Sequence, residues 1–157
     1  MTAPVRTALV LAPPADDRRW VTGLTLGERG RRVARRAGFT DPRIVVVRSS
    51  AEVAAAADRL TGPLLVLRAT DQVVAAPLLD ALELDRPGTR YAIDPARGDG
   101  YAGALVVDGA RAAAVVAALH ADFAGGDDAL RATWTDATAV TSSCSWTTMT
   151  CRTGLAG

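Results

Sequence analysis

Thr7-Ala8-Leu9-Val10-Leu11-Ala12 is a continuous apolar run of strand length, echoed by Ile44-Val45-Val46-Val47 and by Leu64-Leu65-Val66-Leu67. A strand with one wet face alternates apolar and polar residues. A run without alternation belongs to a strand covered on both faces, as in a parallel sheet sandwiched between helices. Three such runs separated by helical stretches predict the start of a doubly wound α/β domain.

Outward from these strands, Leu26, Gly30, Val33 and Ala37 recur at helical spacing, so a helix is predicted over 25–37, with Gly38 as its stop. Its other face carries Arg29, Arg32, Arg35 and Arg36. A charge run of this kind is ordinarily a solvated face, although phosphates or RNA are the sharper reading. Ser49 stands three residues before Glu52, a capping-box pattern for a helix over 51–60 that Gly62-Pro63 ends. A further helix is expected over 75–82. Thr89 to Asp94 and Ala104 to Val107 read as two more strands. Asp108-Gly109 then turns the chain into a helix over 110–123, with Val115, Val116, Leu119 and Phe123 on one face. Gly125-Gly126-Asp127-Asp128 reads as the close of that element.

From Thr133 the composition shifts to Thr, Ser and Trp, and no period is sustained. The organisation expected is an α/β domain over 1–132 and a Ser/Thr-rich tail over 133–157. The tail is either poorly ordered or supplies one edge strand at 138–142.

The 157 residues suit one domain with a real core. A net charge of +1 gives no overall field favouring nucleic acid or an anionic membrane. All basic residues are Arg, with no Lys in the chain. No apolar run approaches the ~20 residues of a spanning helix, and the first residues lack the apolar segment of a secretory signal, so the expected location is the cytoplasm. Cys144 and Cys151 lack the flanking His or Cys that zinc requires. His120 has no nucleophile beside it in sequence. A dinucleotide site of the G-x-G-x-x-G kind is missing after the first strand.

The stretch that speaks to chemistry is Leu11-Ala12-Pro13-Pro14-Ala15-Asp16-Asp17-Arg18, a strand end followed six residues on by Arg. It resembles the L-A-A-G-x-G-T-R loop of nucleotidyltransferases, which join a nucleoside triphosphate to a sugar or polyol phosphate. The resemblance implies a three-layer α/β fold, a Rossmann-like nucleotidyltransferase core with a mainly parallel sheet and helices on both faces. It implies a nucleotide crevice at the carboxyl ends of the first and third strands. It places Arg18 at the catalytic, charge-neutralising position and Leu11, Ala12, Arg18 and Arg19 against the nucleotide, with CTP favoured. Pro14 and Asp16 stand where the two glycines belong. Proline has no N–H to donate and a carboxylate repels phosphate. The family's Pro-Lys pair would fall near Val21-Thr22, and neither residue is present.

Leu64-Leu65-Val66-Leu67-Arg68-Ala69-Thr70-Asp71 is similar to the family's strand that precedes a metal-binding Asp. This makes Asp71 the candidate Mg²⁺ ligand, against the plainer reading of a helix cap. Tyr101 to Gly109 is similar to a passage near the family's acceptor site. The closest likeness is to inositol-phosphate cytidylyltransferase domains, which implies a CDP-alcohol phosphotransferase as partner.

Three functional expectations follow, in order. The first is a degenerate nucleotidyltransferase-like domain with a nucleotide-binding, regulatory or scaffold role. The second is an active Mg²⁺-dependent cytidylyltransferase. The third, from the composition of 141–151 alone, is the precursor of a modified Ser/Thr/Cys peptide.

Overall fold

The structure is a computed structural model, and it describes residues 7–14, 20–21, 23–68, 76–94, 100–125, 127–133 and 137–141. In chain order the elements are β1 (Thr7–Leu11), β2 (Trp20–Val21), β3 (Leu24–Thr25), α1 (Leu26–Arg36), β4 (Ile44–Val47), α2 (Ser50–Ala56) and β5 (Leu64–Arg68). There follow α3 (Ala76–Ala81), β6 (Arg90–Asp94), β7 (Gly100–Val107), α4 (Gly109–Ala121), α5 (Asp127–Arg131) and β8 (Thr138–Thr141).

Six of the strands form one sheet in the order β4-β1-β5-β7-β6-β8, while β2 and β3 pair as a short antiparallel hairpin. β4, β1 and β5 are parallel, β7 is antiparallel to both β5 and β6, and β8 is parallel to β6. β7 alone is therefore reversed, and the fold is a three-layer α/β domain with a mainly parallel sheet.

The unalternating runs sort cleanly onto two faces. Ala8 and Val10 of β1, with Ala12 just after it, join Leu65 and Leu67 of β5 under Leu26 and Ala34 of α1 and Leu79 of α3. Leu9, Leu11, Leu64 and Val66 face the other way, under Val53 of α2, Val115 and Leu119 of α4 and Leu130 of α5. Large side chains such as Leu9, Leu105, Leu119 and Leu130 are fully buried. Each contributes roughly 1.5–3 kcal/mol through removal from water.

Local chemistry sets the helix ends. The Thr25 hydroxyl accepts from the Glu28 N–H at 3.2 Å and opens α1. At the other end the Phe39 N–H donates to Ala34 and the Gly38 N–H to Arg35, with Gly38 at φ +95°. This is the Schellman arrangement, in which the left-handed position favours glycine, and buried Phe39 supplies its apolar contact. For α2, Ser49 Oγ accepts from the Glu52 N–H at 3.3 Å, and Glu52 Oε2 reaches back to the Arg48 N–H at 2.7 Å. The capping box thus closes one residue earlier than its simplest form. α2 runs to Ala56 and tightens into a 3-10 turn over Ala57–Arg59.

Two departures from the sequence expectations matter. Gly125-Gly126-Asp127-Asp128 does not simply end a helix. It leads into α5, whose Leu130 is fully buried against the core. β7 also begins at Gly100, four residues before the strand expected there. The edge strand expected near 138–142 is present as β8, in parallel register with β6.

Arg90 shows what the amino edge of the sheet is for. Its buried guanidinium donates to the carbonyls of Leu82, Glu83, Arg86, Pro87 and Gly88, at 2.7–3.2 Å. It gathers the connection between α3 and β6. Burial, and then nearby Arg86, pull its pKa below the usual guanidinium value while Glu83 opposes them. It still carries its charge at neutral pH.

Candidate functional site: the carboxyl edge of the parallel strands

From β1 the chain crosses by α1 to β4 on one side, then returns by α2 to β5 on the other. α1 and α2 pack on opposite faces. The strand order therefore reverses at β1, and in open α/β sheets ligands occupy the crevice outside the carboxyl ends at such a reversal. Leu11, the last residue of β1, is in register with Val47, the last of β4, and with Arg68, the last of β5.

Leu11 and Ala12 lie at this position and both are buried, with side chains on opposite core faces. They can face a ligand only through their backbone. The Ala12 N–H is already donated to the Val47 carbonyl at 2.9 Å, and Pro13 and Pro14 have no N–H. Residues 12–14 therefore have no backbone donor left to turn towards a phosphate. Arg18, Arg19 and Asp71 lie outside the described residues.

Sequence reasoning gave no site role to Arg68, Tyr101 or Arg48, although Arg68 and Tyr101 stand in the stretches likened to the family's metal and acceptor passages. The Arg68 guanidinium carbon stands 5.8 Å from the centroid of the Tyr101 ring, a cation–π contact at the head of the central strands. β7 is reversed, which brings its first residues to the edge where β5 ends. Tyr101 itself is buried. Arg48 follows β4 and is exposed. Only the sheet order discloses that Arg48 and Arg68 stand on either side of the head of β1, because 37 positions separate Leu11 from Arg48.

Among the described residues no group of three or more His, Cys, Asp and Glu side chains converges to hold a metal ion. The described carboxylates near this edge do not form a Mg²⁺ set: Glu52 serves the cap of α2. Asp108, in the passage likened to the acceptor site, lies at the opposite edge, since the neighbouring Val107 pairs with Leu64 at the start of β5. There it caps α4 by accepting from the Arg111 N–H at 3.0 Å, and it accepts from the Thr89 hydroxyl at 3.2 Å. His120 Nδ1 lies 3.3 Å from the Ser50 carbonyl and links α4 to α2. On α1, Glu28 lies 3.6 Å from Arg32, and Asp41 lies 2.7 Å from Arg35. These are exposed pairs of small energetic weight.

No protein-family model, curated protein or solved structure matches the chain. No helix among the described residues is long and apolar enough to cross a membrane.

Proposed function

We propose that the chain is a degenerate nucleotidyltransferase-like domain, one that binds a nucleotide at the carboxyl edge of its sheet in a regulatory or scaffold role and does not transfer it. One observation carries this reading: from Ala12 to Pro14 the exit of β1 has no backbone N–H to offer. Phosphoryl and nucleotidyl transfer rest on donors fixed in advance around the developing charge, and that loop is where the family resemblance puts them. A strand exit whose first three residues offer no donor is suited to weak holding rather than to transition-state stabilisation. The position of the crevice supports the binding half of the reading, because the strand reversal at β1 falls where ligands of open α/β sheets collect. Asp71 stays the candidate Mg²⁺ residue, and no chemical step is assigned to it.

The test is turnover. The full chain is incubated with CTP, Mg²⁺ and a panel of sugar and polyol phosphates, and pyrophosphate release is followed. The expected result is no release above background, with weak CTP binding by calorimetry. Pro14→Gly together with Asp16→Gly should tighten CTP binding, since one change restores a donor and the other removes a repelling charge. Steady pyrophosphate release by the wild type, lost on those two glycine changes, would overturn the reading in favour of an active cytidylyltransferase.

A further inference from the structure

If the backbone at the exit of β1 cannot hold an anion, side chains must. Three neighbouring parallel strands point their carboxyl ends at one edge, and the outer two are closed by arginines. Arg68 ends β5, and Arg48 follows β4. Strands in a sheet lie about 4.8 Å apart, so the two backbones stand roughly 10 Å apart across the head of β1. An anion seated over the head of β1 lies between them, and the planar fork of an arginine matches a phosphate with two N–H groups at once.

We propose that Arg68 is the anion-holding residue of this crevice, that the Tyr101 ring is a positioning residue that fixes its guanidinium, and that Arg48 is a second cation on the far side of β1. This rests on the reading of the edge as a nucleotide site and gives that site its ligand chemistry: an organic phosphate or pyrophosphate, held by side-chain forks. Arg68 is half-buried, so its charge is less screened than that of the surface arginines of α1. Tyr101 is buried beneath it and is not a platform for a base. Its role is to limit the directions the guanidinium can take, which lowers the entropy lost when an anion arrives. Arg48 is exposed and its charge more screened than that of Arg68, which makes it the weaker of the two.

The test is titration calorimetry on the full chain with inorganic phosphate, pyrophosphate and CTP, at low and high salt. Wild type should bind pyrophosphate and CTP, and Arg68→Met should weaken both by about ten- to a hundredfold, as expected for loss of a charge-assisted pair. The salt dependence should flatten in that variant. Arg68→Lys should recover part of the loss, because it restores charge without the fork. Tyr101→Phe should bind as wild type, and a folded Tyr101→Leu should weaken binding in the wild-type background but not in Arg68→Met, a coupling that a merely structural tyrosine would not produce. Arg48→Met should lose less than Arg68→Met. Affinity for CTP above that for pyrophosphate would assign the ligand to nucleotides, and equal affinities would assign it to the phosphates alone.

Wild-type affinity and an unchanged salt slope in a folded Arg68→Met overturn this inference and leave the nucleotide reading standing. Should that variant fail to fold, the same result in Arg68→Lys and Tyr101→Leu overturns it equally. A wild type that takes up none of the three probes overturns both.

Discussion

Gly30 is where α1 meets β1, and replacing it with alanine measures how closely the helix lies on the strand that opens the site. A Cβ at Gly30 would stand 2.6 Å from Cγ1 of Val10, whose side chain is fully buried. Carbon atoms prefer roughly 3.5–4.0 Å, so the overlap is about 1 Å and the strand has no room to yield. Overpacking of this kind costs about 1–3 kcal/mol. Alanine would meanwhile return about 1 kcal/mol of helix propensity, because glycine is a poor helix former. The net expectation for Gly30→Ala is a loss of about 1 kcal/mol, where an uncrowded site would show a gain of similar size. In a chain of this length that corresponds to a fall of roughly 2–4 °C in Tm. The sharper assay is a double-mutant cycle with Val10→Ala, read by urea unfolding at constant m-value. Val10→Ala removes the obstructing methyl groups, so Gly30→Ala added to it should be neutral or stabilising, with a coupling of about 1–3 kcal/mol. Strict additivity, or a stabilising Gly30→Ala in the wild-type background, would refute the close approach.

Arg90→Met should lose about 3 kcal/mol or more by chemical denaturation, because five carbonyls from Leu82 to Gly88 lose a charged donor. Arg90→Lys should recover only part of this, and a variant as stable as wild type would show that Arg90 does not hold the segment. Leu130→Ala should cost about 2–5 kcal/mol, since Leu130 is fully buried against the sheet, and a change below about 1 kcal/mol would show that α5 does not dock. Asp71→Asn should abolish any Mg²⁺ dependence of CTP binding at unchanged Tm. Undiminished Mg²⁺ dependence in that variant removes Asp71 as a metal ligand and leaves the cap reading.

The fold was legible wherever a local cause decides. β4 was read to the residue because Ile44-Val45-Val46-Val47 is uniformly apolar and β-branched, a type of side chain that suits a strand buried on both faces. Gly38 and Ser49 were read because a left-handed cap and a capping box are short-range devices. α5 was not legible. Gly125-Gly126-Asp127-Asp128 is equally good punctuation for a stop and for a start, and only the burial of Leu130 holds five residues as a helix. The β2–β3 hairpin is too short to carry any period. Nor does Arg90 differ, as a sequence symbol, from any other arginine in a chain whose basic residues are all Arg. It becomes a clamp only when the carbonyls from 82 to 88 are brought round it.

The candidate site divides in the same way, and the division says where its chemistry resides. The loop after β1 could be judged from sequence, because proline lacks a donor in any fold. The structure extends that judgement to Ala12, whose N–H is spent on Val47. The grouping of Arg48, Arg68 and Tyr101 could not be found this way, since a motif search looks along the chain, whereas Arg68 and Tyr101 meet across it and Arg48 reaches the same edge from β4. What joins them is a sheet order in which β5 passes β4 to lie beside β1, and a reversed β7 that brings Tyr101 back to the end of β5. A site made of local backbone donors is lost with two prolines. The side-chain site proposed above, carried on β5 and β7 and on the residue after β4, would survive that loss, and weak phosphate holding would then coexist with absent transfer in one fold.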